Sequence, residues 1–158
     1  MTGFRSVSRG DGMAIITVVK AIKSIHVDSI ILIKVGKFYH VYGRDSYILS
    51  YLFGYSLKQN QGISFCGFPV ESINKIMAKL EQRKINFLTV DRRNNYDVEQ
   101  IIDNKNLNTY NVVYKKAKEY INSKQRVSKI YNYMMQHLND KELIQRMEKV
   151  IIDEGRKV

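Results

Sequence analysis

The sequence of 158 residues predicts an α/β (α+β) fold, in which a mixed β-sheet is flanked by helices and followed by a helical hairpin. Two observations predict this fold class. Over residues 29–90, β-branched apolar runs alternate with helical stripes in the order strand, strand, helix, strand, helix, strand. From Thr109 onward, apolar residues instead recur in steps of three and four. We therefore predict four regions: a disordered segment over 1–12, an α/β domain over 13–92, a linker or short helix over 93–108, and a helical hairpin over 109–158.

The N-terminal part of the chain contains one predicted helix. The segment before Met13 is polar and Gly-rich, and either Met1 or Met13 is a candidate start of translation. Residues 14–26 carry apolar side chains at helical spacing, and we expect Lys20 and Lys23 to face solvent. Because β-branched residues are frequent in this run, a strand is the alternative.

Two strands and a helix are predicted next. Residues 29–35 form a β-branched apolar run, and residues 37–42 resume an extended aromatic pattern. Gly36 lies between them and is expected to form a turn or bulge. Residues 44–53 show near-helical spacing, and the glycine at position 54 is a typical helix stop.

The rest of the sheet domain follows the same alternation. Residues 58–62 are polar and predict a loop, whereas residues 63–68 predict a strand that ends at a proline. A well-patterned helix over 71–83 and a strand over 85–90 come next. Residues 97–103 form at most a short helix.

The C-terminal part is predicted to form two amphipathic helices. The apolar stripe of the first helix continues for about 30 residues, roughly 45 Å at 1.5 Å per residue. Asp140 with Glu142 is typical of a new helix start, and a shorter helix follows. A stripe of this length has to be buried, either by the α/β domain, by another protein or by a second copy of the chain.

The net charge of +11 is spread over both main parts of the chain. Residues 1–90 hold twelve basic and five acidic side chains, and residues 111–158 hold eleven and six. Basic surfaces bind polyanions because each neutralised phosphate releases condensed counterions. The charge is therefore compatible with a nucleic-acid partner. A solvated basic surface without such a partner is the alternative.

The sequence lacks motifs for catalysis and metal binding. Gly36-Lys37 is followed by Phe38, so there is no P-loop, and the serine-hydrolase, zincin and Cys-x-x-Cys patterns are also missing. Cys66, the only cysteine, lies in an apolar run, so a buried structural thiol is expected. We expect a non-enzymatic protein with no cofactor and no metal.

The long apolar stretch near the N-terminus does not have the character of a membrane segment. Lysines, a histidine and an aspartate interrupt residues 13–33, so neither a membrane span nor a signal peptide is expected. A lone cysteine is compatible with a reducing compartment, and we expect a cytoplasmic protein.

The most informative segment runs from Asp28 to Asp45 and reads Asp-Ser-Ile-Ile-Leu-Ile-Lys-Val-Gly-Lys-Phe-Tyr-His-Val-Tyr-Gly-Arg-Asp. It resembles the signature of the N-terminal mismatch-recognition domain of the MutS family. A Cys-Gly-Phe-Pro turn at 66–69, the helix after it and the strand that ends near Asp91 agree in order and spacing. The resemblance covers about residues 14–92, without the connector, lever, clamp and ATPase parts of MutS.

The resemblance implies that an aromatic side chain contacts DNA. In the family, the motif Phe enters the minor groove beside a mispaired base, and a Glu two residues later hydrogen-bonds that base. The matching residues in this chain are Phe38 and His40, and Lys37 replaces the family's Asp. An aromatic wedge can exploit a kinked base step, whereas a neutral imidazole does not reproduce a carboxylate. The candidate DNA-binding residues are Phe38, His40, Lys37, Arg44, Lys58 and Pro69.

Two functions remain open from the sequence. The first is a non-enzymatic accessory module that binds nucleic acid, with a preference for mismatched or distorted duplex DNA. The alternative is a protein-interaction adaptor that keeps the MutS-like fold without recognising DNA. In the predicted fold, we expect Phe38 and His40 to lie at an exposed edge of the sheet. Basic residues of the long helix, Lys124, Arg126 and Lys129, are either an electrostatic footprint or a solvated face.

Overall fold

The computed structural model describes residues 7–103 and 108–157. Its contacts divide the chain into two units, residues 1–119 and 120–158. The elements follow in the order α1 (Val7–Ile25), β1 (Ile30–Val35), β2 (Phe38–Tyr42), α2 (Arg44–Phe53), β3 (Lys58–Asn60), β4 (Ile63–Pro69), α3 (Ile73–Gln82), β5 (Phe87–Asp91), β6 (Asp97–Ile102), α4 (Thr109–Gln136) and α5 (Lys141–Arg156).

The strands form one mixed sheet, as predicted. Within the described residues, its order is β3-β4-β2-β1-β5-β6. β1 pairs parallel with β5, and every other neighbouring pair is antiparallel. β1 lies near the centre, and its four apolar residues 30–33 are buried. A strand with apolar side chains on both faces needs cover on both sides of the sheet.

Helices supply this cover on both faces. Since side chains alternate along a strand, Ile30 and Leu32 of β1 face one layer, and Ile31 and Ile33 face the other. The first layer contains side chains from α2, α3 and the first turns of α4. The second layer is formed by α1 through Ile15 and its neighbours. The prediction of a mixed sheet flanked by helices is therefore confirmed.

The turns follow from glycines with positive φ. Gly36 has φ of 63°, and Val35 pairs with Phe38, so Gly36 and Lys37 are the two central residues of a tight hairpin. Gly54 ends α2 in the left-handed conformation, and its N–H donates to the carbonyl of Ser50. Both glycines occupy the positions predicted for them, because residues with a Cβ rarely adopt such φ values.

Three local predictions are corrected by the structure. Residues 97–103 contain a strand, β6, because they pair antiparallel with β5 and not because of any apolar alternation of their own. Lys58–Asn60 is a short edge strand and not a loop, since it pairs with β4. In the segment predicted to be disordered, residues 7–12 are helical as the start of α1, and residues 1–6 lie outside the described residues.

The second unit, here called the helical arm, consists of the described residues 120–157. It contains the later part of α4, a short connection and α5, which confirms the two predicted helices. The Asp140 carboxylate accepts a hydrogen bond from the N–H of Leu143 at 3.0 Å and caps α5, as the sequence predicted. Among the residues that the structure describes, no helix is both long and apolar enough to cross a membrane.

Candidate nucleic-acid interface

One face of the sheet is only partly covered by helix. Phe38, His40 and Tyr42 alternate with the buried Tyr39 and Val41, so they share the α1 side of β2. At the Tyr42 end, this face packs in the layer with α1. At the other end Phe38 is 50% exposed. The aromatic ring of Phe38, on an interior strand of the sheet, is therefore accessible to a partner.

The exposed end of this face forms a depression. It is lined by Phe38 and His40 of β2, Phe65 and Gly67 of β4, Lys58 of β3, and Ser56. We call it the Phe38 depression. His40 pairs with Gly67, and Lys58 pairs with Phe65. Three neighbouring strands therefore hold an aromatic ring, an imidazole and an ammonium group on one surface.

The backbone fixes the position of Phe38. The carbonyl of Lys37, in the hairpin turn, accepts a hydrogen bond from the N–H of Val70 at 3.0 Å. Phe38 pairs with Val35 on one side and with Pro69 on the other. Lys37, which precedes Phe38, and Pro69, which pairs with it, are both exposed. The start of β2 is thus held between two strands.

His40 is half-buried and closely packed. A Cβ added at Gly67 would lie 3.3 Å from the imidazole Cδ2, so the glycine leaves room for the ring. The imidazole Nδ1 lies 3.3 Å from the hydroxyl of Tyr42. Burial lowers the pKa of His40, and the positive charges of Lys58 and Arg92 lower it further. His40 is therefore neutral at physiological pH and can exchange one hydrogen bond with a base, without adding charge.

The expected location of these residues at a sheet edge is corrected. β2 is an interior strand, with β4 and β1 on its two sides, so neither Phe38 nor His40 belongs to an edge strand. Phe38 begins its strand and is 50% exposed, whereas Tyr42, at the other end of β2, packs with the described side chains of α1. The distinction matters because an interior strand has hydrogen-bonded neighbours on both sides, whereas an edge strand presents unpaired N–H and C=O groups.

Arg44 lies apart from the other candidates. It begins α2, beyond the Tyr42 end of β2, whereas Phe38 is at the opposite end about 13 Å away at 3.3 Å per residue. Its guanidinium lies 5.1 Å from the ring centroid of Tyr114. Together with Lys20, it borders a separate, mainly apolar cavity of about 180 Å³ beside α1. The structure thus brings Phe38, His40 and Lys58 together in the Phe38 depression, places Lys37 and Pro69 next to Phe38 along the backbone, and separates Arg44 from them.

A buried polar network supports the sheet close to Arg44. The Lys23 ammonium donates to Asp45 Oδ1 and to the carbonyl of Ser29, each at 2.6 Å. The Tyr110 hydroxyl donates to the same carboxylate, and the N–H of Ile31 donates to Oδ2 at 3.0 Å. Burial raises the pKa of Asp45, and these donors oppose that shift. The network joins α1, β1, α2 and α4 within the first unit.

One sequence expectation is wrong at this network. Lys23 was expected to face solvent with Lys20, but its side chain is only 21% exposed because it pairs with Asp45. The Asp45 side chain itself is 2% exposed. A buried carboxylate needs a cation and hydrogen-bond donors, and α1 brings Lys23 into that position.

The structure also shows the environment of the cysteine. Cys66 is fully buried, and burial raises the pKa of its thiol to about 12, so the thiolate is scarce at neutral pH. The prediction of a buried thiol is confirmed. Among the described residues, no group of three His, Cys, Asp or Glu side chains is arranged to hold a metal ion.

The fold and the open face define a small mixed α/β domain with an aromatic side chain displayed from its sheet. A family model, MutS domain I, matches residues 13–124. The chain therefore belongs to the MutS domain I family, which includes the N-terminal mismatch-recognition domain of MutS. The match confirms the resemblance and extends beyond it, through β6 and into α4. None of the curated proteins matches the chain.

The sequence reasoning missed three residues that line the Phe38 depression, namely Ser56, Phe65 and Gly67. One signal was present, because Phe65 and Gly67 alternate with the buried Cys66 and Phe68 and so belong to the opposite face of β4. The alternation shows which side chains share one face of β4. It does not show which strand lies beside β4, because that depends on the pairing of β4 with β2.

Proposed function

We propose that this chain is a non-enzymatic, cytoplasmic module that binds duplex DNA through the Phe38 depression and favours mismatched or otherwise distorted sites. The observation that carries the proposal is the half-exposed ring of Phe38 beside Lys37 and Lys58, in a member of the MutS domain I family. An aromatic side chain can enter a groove and occupy a base step that is already partly unstacked. The two lysines contact phosphates on either side.

The chemistry of the side chains supports two separate roles, phosphate binding by the lysines and base contact by Phe38 and His40. A duplex is held mainly through its phosphates, which carry no sequence information, whereas contacts with a base distinguish one site from another. Lys37 and Lys58 are exposed ammonium groups suited to the first role. Phe38 and the neutral His40 are suited to the second, since a ring can stack and an imidazole can share one hydrogen bond with a base.

A binding experiment with three duplexes tests the proposal. Matched, single-mismatch and single-bulge duplexes of one length are titrated with the full chain at low salt, and fluorescence anisotropy is measured. We expect all three to bind, with the bulged and mismatched duplexes bound more tightly because their bases cost less to unstack. Equal affinity for the three would refute the preference for distorted sites. Absence of binding to any of them would favour the adaptor alternative.

The phosphate contacts predict a steep salt dependence. The logarithm of the binding constant should fall with the logarithm of salt concentration at a slope of about −0.9 per phosphate neutralised. Lys58→Glu should weaken binding to all duplexes about equally. It should also make the slope shallower by about 0.9, the value for one lost phosphate contact. Titrations at a series of salt concentrations measure both quantities.

Lys75→Glu is the matched control for this prediction. Lys75 is exposed on α3, which covers the other face of the sheet, and the substitution changes the net charge by the same amount. If the two variants weaken binding equally, the effect comes from net charge and not from the depression.

A further inference from the structure

The helical arm carries apolar side chains that the rest of its own unit does not cover. Nine large apolar residues of the arm are each between 48% and 65% exposed. They are Val127, Ile130, Tyr131, Tyr133, Met135, Leu138, Val150, Ile151 and Ile152. Monomeric proteins expose such residues singly more often than in a continuous group. The concentration of these residues on two consecutive helices and their connection indicates a surface that contacts another molecule.

The two helices of the arm do not bury this surface against each other. Near the connection, Ile130, Met134, Leu143 and Met147 line a common groove. Farther away, Val127 and Val150 lie at equal sequence distances before and after the connection at 137–140. In a closed antiparallel hairpin these two valines would face each other. Instead they are 64% and 55% exposed, so α5 leaves α4 uncovered beyond the first turns.

The charges on the two helices are complementary. Residues 120–136 of α4 contain three cations and no carboxylate, whereas residues 148–154 of α5 contain three carboxylates and one lysine. In an antiparallel arrangement with Val127 opposite Val150, Lys124 lies opposite Asp153, and each charged residue is three positions from its valine, on the same side of its helix. One chain thus contains both halves of a pair of matching surfaces, apolar at the centre and opposite in charge at the flank.

The exposed apolar side chains can contribute a substantial part of a stable interface. An aromatic side chain buries about 150–250 Å², so the half-exposed Tyr131 and Tyr133 leave on the order of 100 Å² each, and seven smaller apolar side chains add to this area. Each partner contributes roughly 800 Å² to a standard interface. In a two-fold dimer, a contact between residue i and residue j occurs twice. Matching halves on one chain are what such symmetry requires.

We propose that the helical arm is a homodimerisation surface, in which α5 of one chain packs antiparallel on α4 of a second copy. Val127 and Val150 lie at the centre of each of the two equivalent contacts, and Lys124 pairs with Asp153 at their flank. This interaction is independent of DNA binding through the Phe38 depression. Each of the two functions can therefore fail while the other remains.

Sedimentation velocity on the full chain tests the proposal without DNA. We expect a species of twice the 18.5 kDa chain mass, whose fraction rises with protein concentration. Val127→Asp or Val150→Asp should raise the dimer dissociation constant by about a hundredfold or more, because a carboxylate is buried in each apolar contact. Ser128→Asp is the control, since it introduces the same charge at an adjacent exposed position and should leave the dissociation constant unchanged.

A charge exchange tests the register of the two helices. Lys124→Asp should raise the dimer dissociation constant by about tenfold, because it places a second carboxylate opposite Asp153 in each of the two equivalent contacts. Adding Asp153→Lys to the same chain should restore the dissociation constant. A chain that sediments as a monomer at every concentration would overturn the proposal, whether its hairpin closes on itself or awaits another protein. A dimer that survives both valine substitutions would overturn it as well.

Discussion

Lys23→Met is expected to lower the free energy of unfolding by about 3 kcal/mol at neutral pH, the lower end of the range for removing one partner of a buried ion pair. The lower end applies because the Lys23 side chain keeps 21% of its surface exposed. Met retains most of the apolar stem of Lys, so the loss reports the missing ammonium group and not a cavity. Asp45 would keep the hydrogen bonds from the hydroxyl of Tyr110 and the N–H of Ile31, but would lose its cationic partner. Urea unfolding followed by circular dichroism measures the change.

The pH dependence of this variant has a definite sign. Burial raises the pKa of Asp45, and Lys23 opposes that shift, so removal of Lys23 raises the pKa further. A carboxyl group whose pKa is higher in the folded than in the unfolded protein binds more protons when folded. Its stability contribution is therefore lost as pH rises. The deficit of Lys23→Met relative to the parent chain should be larger at pH 8 than at pH 5.

Two further variants show whether the pair acts as a unit. Lys20→Met, one turn earlier at an exposed position of the same helix, should change stability by no more than about 0.5 kcal/mol. Lys23→Met combined with Asp45→Asn removes the uncompensated charge and should recover part of the loss. Strict additivity of the two single substitutions would show that the ion pair does not couple them.

The sequence was sufficient for most of the fold because the signals are local. A continuous β-branched apolar run identifies β1, and an apolar stripe with a period of 3.6 identifies α3. β6 was missed for the opposite reason. Its residues are mostly exposed and show no apolar alternation, so its conformation depends on hydrogen bonds to β5, which no local pattern contains.

The same distinction applies to the candidate site. Lys37 and Phe38 are neighbours in sequence, and the family resemblance identified them directly. Arg44 is only six residues from Phe38, but an extended strand lies between them, so closeness in sequence did not mean closeness in space. The orientation of Lys23 could not be predicted, since it depends on Asp45, 22 residues away, and Tyr110, 87 residues away.

Phe38→Ala is expected to reduce affinity selectively for mismatched or bulged duplex, by about 1–3 kcal/mol per stacked base. An unstacked step costs little to open, so it gains most from insertion of the ring, whereas a perfect duplex held through phosphates should change little. Anisotropy titrations of the matched, mismatched and bulged duplexes with both proteins give the difference. Ile101→Ala is the matched control, because Ile101 is 52% exposed against 50% for Phe38 and lies on β6, the strand at one edge of the sheet.

His40→Glu extends the same experiment to the second residue of the motif. A carboxylate at position 40 restores the family's residue and can accept a hydrogen bond from a mispaired base, so discrimination between mismatched and perfect duplex should increase. Total affinity should fall, because the negative charge lies near the phosphates and near Lys58. Selectivity and affinity should thus move in opposite directions, which general damage to the fold would not produce. If Phe38→Ala weakens every duplex equally, or none, the ring is not a wedge, and the His40→Glu variant should then lose affinity without gaining discrimination.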